Sequence, residues 1–236
     1  MNANDPNVAL LEIVAEHLGD DLREQLVFVG GAVAGLLITD PAMPAIRPTE
    51  DVDLICEALM LADYHRVEKV LRARGFVQDM RPNAPICRWR VGAIVVDVMP
   101  TLEEILGFAN RWYPLALQTA VAVALPSGRL IRLIAAPVFL ATKLEAFDGR
   151  GQGDFLFSHD LGDLLAVVDG RDALLEECRA SPSELRGYLV ERFRGLLAQP
   201  AFIDALPGHL PGDAASQERL PELQAKLREM AGLSLP

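Results

Sequence analysis

A chain of 236 residues, 51% of them hydrophobic, has ample apolar material for a real core and a length that suits one large domain or two modest ones. Its net charge of −11 argues against a protein whose main task is to coat nucleic acid, because that affinity comes largely from lysine and arginine on phosphates. No uninterrupted apolar run reaches the roughly 18–20 residues of a membrane span, the acid-bearing first 21 residues do not read as a leader, and three cysteines (Cys56, Cys87, Cys178) without Cys-x-x-Cys spacing read as reduced packing thiols of a cytoplasmic protein.

In chain order, Pro6 to Leu18 is expected as an amphipathic helix started by Asn4-Asp5-Pro6, a capping residue ahead of a proline. Leu26 to Val29 follows as a strand, Ala32 to Ile38 as a helix, Val52 to Cys56 as a second strand, and Leu61 to Arg74 as a helix stopped by Gly75. Phe76 to Asp79, Ile86 to Arg90 and Ala93 to Met99 are expected strands. Thr119 to Leu125 and Arg129 to Ile134 flank Pro126-Ser127-Gly128, a hairpin signal. Beyond Pro137 the pattern turns helical, with helices near Val138 to Phe147, Asp160 to Val168, Ser183 to Leu197 and Pro221 to Met230, and with Pro200 to Gly212 as a linker.

Three features of the first half suggest chemistry. Gly30-Gly31 follows an apolar strand and opens a helix-forming stretch, where residues without a Cβ let backbone N–H groups approach phosphates; a ligand-free tight turn is the bland alternative. Asp51 and Asp53 lie two apart on a strand, so both carboxylates face one spot, unless they merely solvate a strand start. Asp97 interrupts the apolar run Ala93 to Met99, and a carboxylate there needs a partner or a metal to offset burial. Two or three carboxylates suffice for Mg2+ or Mn2+, which take hard oxygen ligands and keep waters and phosphates for the remainder. In the second half, Lys143 and Arg150 share a helical face and are open to two readings, an anion site or solvated cations. Asp160 and Asp163 share a face of the next helix, where they either orient those cations or cap and solvate their helix.

The run Phe28 to Leu54, with Gly30-Gly31 and Arg47-x-Thr49-x-Asp51-x-Asp53, resembles the polymerase-beta-type nucleotidyltransferase superfamily. Within it, Ala136 to Phe147 with Lys143, then Arg150, then Asp160-Leu161-Gly162-Asp163-Leu164, is similar to the AbiEii/AbiGii toxin family of type IV toxin–antitoxin systems. The likeness spans residues 28–165; Ser158-His159-Asp160 departs from it where relatives carry a basic residue, and the glycine-to-aspartate interval is long. The resemblance implies an α/β (α+β) fold, with a mixed-sheet nucleotidyltransferase domain at 1–135 and an all-helical domain at 136–236 that completes a nucleotide groove. It further implies transfer of a nucleoside monophosphate from a nucleoside triphosphate. Asp51, Asp53 and Asp97 would hold the metal and act in catalysis, while Gly30, Gly31, Arg47, Thr49, Lys143, Arg150, Asp160 and Asp163 would serve the nucleotide.

Five arginines between residues 71 and 100 (Arg72, Arg74, Arg81, Arg88, Arg90) stand against two acids, Asp79 and Asp97. Such a patch on an acidic protein suits an anionic acceptor such as RNA, or else is a solvated hairpin surface. An antitoxin protein is a further partner the resemblance implies. The alternatives are a small-molecule nucleotidyltransferase of the aminoglycoside-modifying kind and a catalytically silent nucleotide-fold protein that binds a partner.

Overall fold

The computed structural model describes residues 5–151 and 153–232, so Asn4 of the expected capping sequence lies outside the described residues. In chain order the first half carries α1 (Pro6–Gln25), β1 (Val27–Val29), α2 (Ala34–Leu37), β2 (Asp51–Cys56), α3 (Leu61–Ala73), β3 (Val77–Gln78), β4 (Arg88–Val91) and β5 (Ile94–Pro100). Next come α4 (Glu103–Leu106), α5 (Tyr113–Thr119), β6 (Val121–Ala124) and β7 (Leu130–Leu133). The remainder is helical: α6 (Ala136–Arg150), α7 (His159–Gly170), α8 (Leu174–Ala180), α9 (Ser183–Leu197), α10 (Pro200–Ala205), α11 (Ala214–Gln217) and α12 (Leu220–Ala231). The chain forms two compact units, one of residues 5–33 with 47–135 and one of residues 34–46 with 136–232.

The first unit is built on a seven-stranded sheet in the order β3-β4-β5-β2-β1-β7-β6. It is mixed: β2 runs parallel to β5 and β1 to β7, and the remaining pairs are antiparallel. Alternation puts Val52, Leu54, Val96, Val98, Trp89 and Val91 inside, because residues two apart along a strand share a face. In α1, Leu11, Val14, Ala15, Leu18 and Leu22 recur at helical spacing, are buried, and the helix packs on β2, β5 and β7. Asp5 caps it by accepting the Asn7 N–H at 2.9 Å. The helix passes its expected end at Leu18 because Gly19, with φ 67° and ψ 175°, kinks the backbone and lets a second helical segment follow. Tyr64 ties α3 to the sheet by donating its hydroxyl to the Val98 carbonyl at 2.8 Å.

The second unit packs α6 against α7, α8 and α9, and α12 against α7, α8 and α9. Helix α6 is buried from Ala136 through Leu144 with almost no polar face, as befits a central helix. Residues 34–46 join through hydrogen bonds: the Thr39 and Asp40 N–H groups donate to the Gly170 carbonyl, and Arg171 donates to the Leu37 carbonyl. The helix expected at Ala32 to Ile38 is a 3-10 turn, Gly31–Val33, followed by the single turn α2. The short helices α4, α5, α8 and α11 were not expected, being too short to show a period. The expected linker Pro200 to Gly212 instead begins with α10, where Pro200 occupies the first turn, and continues in a 3-10 turn, Leu206–His209, started the same way by Pro207. Among the described residues no helix is long and apolar enough to cross a membrane. All three cysteines are free and buried, and burial pushes each thiol up to about 12, consistent with packing thiols.

Candidate functional site

Strand register assembles the first constellation. Val29 of β1 stands opposite Asp53 of β2, Asp53 beside Asp97 of β5, and Asp97 opposite Arg88 of β4, so one row crosses four strands. Asp51 lies two residues before Asp53 on the same face, and one carboxylate oxygen each from Asp51, Asp53 and Asp97 fall within 4.8 Å of one another. Asp51 and Asp53 are half-buried and Asp97 is buried. The partner that the apolar setting of Asp97 demands is Arg88: Nε donates to Oδ1 at 2.9 Å and Nη2 to Oδ2 at 2.7 Å. The same Nη2 lies 3.9 Å from Asp51 Oδ2. The hydrogen bonds it donates to Asp97, and the charge of that carboxylate, hold the Arg88 guanidinium more firmly protonated than a free one.

Gly30 has φ 74°, and a Cβ there would fall 1.9 Å from Asp53 Oδ2. The turn after β1 therefore lies against the Asp53 carboxylate, closer than any side chain permits. Gly31 is buried and opens the 3-10 turn. On the other side the entry to β2 is held by Asn7, which is 0% exposed. Its Nδ2 donates to the Arg47 carbonyl at 3.1 Å, and its Oδ1 accepts from the Thr49 N–H at 2.8 Å and the Thr49 hydroxyl at 3.2 Å. Arg47 and Thr49 thus sit beside the aspartate strand by virtue of a residue the sequence reading passed over. The available signal was a polar side chain in register with Leu11 and Val14 on the buried stripe of α1.

The remaining expected residues gather in the helical unit. Lys143 Nζ donates to Asp163 Oδ2 at 2.7 Å and to Asp160 Oδ1 at 3.2 Å, and the three groups are only 6%, 4% and 5% exposed. Arg150 donates from Nε and Nη2 to the two Asp160 oxygens, each at 2.8 Å. Burial pushes the Asp160 carboxyl up, but the hydrogen bonds and charges of Arg150 and Lys143 outweigh it and hold the group below the usual carboxylate range. Ser158 caps α7 and so presents Asp160 and Asp163 toward α6. Lys143 is thus a buried, doubly paired cation, and of the four only Arg150 is largely open to solvent.

The arginine-rich stretch is less positive than its composition. Arg74 lies 3.5 Å from Asp21, and Arg72 lies 3.7 Å from Glu68 and stacks over Trp89. Arg81 pairs with Asp79, holding that carboxyl at about 2, and Arg88 is committed to Asp97.

No protein-family model and no curated protein matches the chain. Among solved structures, the antibiotic-resistance factor ANT(2'')-Ia aligns at 15% identity with a TM-score of 0.46, over 80% of this chain and 94% of that one. JHP933 from Helicobacter pylori aligns at 12% identity with a TM-score of 0.45, over 95% of this chain and 92% of that one. Likeness at that level assigns no activity to this chain.

Proposed function

We propose that the chain is a metal-dependent nucleotidyltransferase that moves a nucleoside monophosphate from a nucleoside triphosphate to an acceptor hydroxyl, with pyrophosphate leaving. The observation that carries this reading is the meeting of Asp51, Asp53 and Asp97 within 4.8 Å on one sheet face, beside a turn whose Gly30 has no room for a side chain. The donor set fits Mg2+ or Mn2+: every group is a hard carboxylate oxygen, no thiol or imidazole takes part, and three ligands leave places for water and phosphate. Such an ion, when bound, supplies charge stabilisation for an in-line phosphoryl displacement. Asp51 and Asp53 would hold it, Asp97 would complete the set and accept the acceptor's proton as the new P–O bond forms and the bond to pyrophosphate breaks, and the Gly30-Gly31 turn would offer backbone N–H groups to the phosphates.

For the acceptor, the blocks Ala136 to Phe147 and Asp160 to Leu164 support a toxin of the type IV toxin–antitoxin kind, with RNA or protein as acceptor and an antitoxin as partner. A second reading, a small cationic acceptor, is favoured by the pairing of Arg72, Arg74, Arg81 and Arg88 with acids, which removes much of the positive surface an RNA would use. The test is incubation of the protein with each labelled nucleoside triphosphate and Mg2+, plus cell extract in one arm and an aminoglycoside in the other. Label in RNA or protein supports the first acceptor and label in the small molecule the second, while no transfer from any nucleotide in either arm sinks the enzyme reading.

A further inference from the structure

The buried stripe of α1 has one polar member, Asn7, and its amide is taken up by the irregular segment that leads into β2. Nδ2 donates to the Arg47 carbonyl at 3.1 Å, and Oδ1 accepts from the Thr49 N–H at 2.8 Å. A carbonyl and the N–H two residues on are the groups that a neighbouring strand takes in a parallel ladder. The side chain of Asn7 therefore stands in for a strand ahead of β2, and Pro48, between the two bonded groups, has no N–H to lose. Its orientation is fixed, because the nitrogen faces an acceptor and the oxygen a donor.

This clamp lies where β2 is least held. Strand β1 ends with Val29 opposite Asp53, so among the described strands Asp51 has a ladder neighbour only in β5, Val95. Thr49 adds a second support: its hydroxyl donates to the Asp51 carbonyl at 3.2 Å and lies 3.2 Å from Asn7 Oδ1.

We infer that Asn7 is a positioning residue for the carboxylate site: by holding Arg47 and Thr49 it sets where Asp51 stands relative to Asp53 and Asp97. The inference rests on the nucleotidyltransferase reading and adds to it the residue that orders its metal ligands. Mg2+ demands near-ideal octahedral geometry, with ligand oxygens at about 2.0–2.1 Å, so a carboxylate that wanders at the open end of a strand loses affinity for the ion. A ligand held in place beforehand does not have to be ordered when the ion binds. Neither Asn7 nor Thr49 carries a charge, so the effect travels through the backbone of β2 and leaves the charges of the site unaltered.

The experiment is calorimetric titration with Mn2+ of wild type, Asn7→Ala, Thr49→Val, Thr49→Ser and Val14→Ala, each well below its melting temperature, alongside melting curves in chelator. Asn7→Ala should bind Mn2+ about 10–100-fold more weakly, the loss typical of removing a group that orients a metal ligand. Thr49→Val keeps the N–H that Asn7 holds and loses only the hydroxyl on Asp51, so its affinity should fall between those of Asn7→Ala and wild type. Thr49→Ser keeps the hydroxyl and should stay near wild type. Val14→Ala opens a cavity two turns along the same buried stripe, and should melt lower with its Mn2+ affinity unchanged. A role confined to seating α1 on the sheet would lower the melting temperature of Asn7→Ala and leave its affinity alone. Wild-type affinity in a folded Asn7→Ala, or an equal loss in Val14→Ala, overturns the assignment and leaves the metal site standing. Absence of Mn2+ binding by wild type at millimolar metal overturns both. If Asn7→Ala does not fold, the two Thr49 variants decide: equal affinities in Thr49→Val and Thr49→Ser overturn the assignment.

Discussion

Two clusters of aspartate and basic residues, one per unit, resemble each other in composition and differ in how their carboxylates are arranged. Around Lys143 and Arg150 two cations face Asp160 and Asp163, and every distance lies within hydrogen-bonding range. Around Asp51, Asp53 and Asp97 the arrangement is different: one carboxylate oxygen from each falls within 4.8 Å of the others, and Arg88 is hydrogen-bonded to both oxygens of Asp97 while lying 3.9 Å from Asp51. Burial of carboxylates that are hydrogen-bonded to cations is compatible with a role in holding helices together, whereas carboxylates converging from neighbouring strands on one spot form a set that a cation can bridge. Residue types alone do not separate these cases. The geometry of the carboxylates does.

The sharpest way to break the comparison is to remove the balancing cation. Lys143→Met leaves Asp160 and Asp163 partly unpaired in the interior and should cost about 3–5 kcal/mol in a denaturant unfolding measurement. A loss below about 1 kcal/mol would make the helical cluster far looser than its geometry implies. In the triad the effects should fall on rate instead. Asp51→Asn or Asp53→Asn should lower nucleotide transfer by about 10²–10³-fold or more through lost transition-state stabilisation, with stability within about 0.5 kcal/mol of wild type. Full transfer in both variants would remove the proposed site. Saturating Mg2+ or Mn2+ with a nucleoside triphosphate should add about 2–3 kcal/mol of stability at a hundred times the dissociation constant, read as a raised melting temperature that Asp53→Asn abolishes. Gly30→Ala should cost about 1–2 kcal/mol, since it forces a side chain into the left-handed region and against Asp53, and should weaken Mn2+ binding in the same protein.

The smallest effect is a pH slope. The Asp160 carboxyl is held low in the folded chain, so its stabilisation is fully present above the unfolded value of about 3.9 and is lost as pH falls through the folded one. Asp160→Asn should therefore flatten the fall of unfolding free energy between about pH 5 and pH 3. Equal slopes in the two proteins would mean that the carboxyl is not held low.

The sequence made the sheet side of this comparison readable because period-two alternation and a glycine turn are local signals. Asp51 and Asp53 share a face by spacing alone, and Asp97 betrays itself by its apolar neighbours. Arg88 was legible in part. Val91-Gly92-Ala93-Ile94 is a two-residue hairpin with Gly92 at φ 57°, and counting back from Val91 opposite Ile94 brings Arg88 opposite Asp97. Composition had assigned that arginine to an exposed patch instead. The helical side was less readable: Lys143, Arg150, Asp160 and Asp163 could be placed on faces, but whether two faces meet depends on packing, which no local period encodes. Asn7 was missed for a related reason, since its partners Arg47 and Thr49 lie 40 and 42 residues away.

The route of the chain through the two units has a consequence for cutting it. Residues 34–46 leave the sheet unit, join the helical one and return, so no single peptide bond separates the two bodies. Asp40, carried on that excursion, supplies one of the two carboxylates on Arg219, a residue 179 positions away. A fragment beginning at Ala136 would thus be synthesised without one of its own counter-ions and without the N–H donors that cover the Gly170 carbonyl. Its independence as a folding body is limited by thirteen residues encoded before most of the sheet.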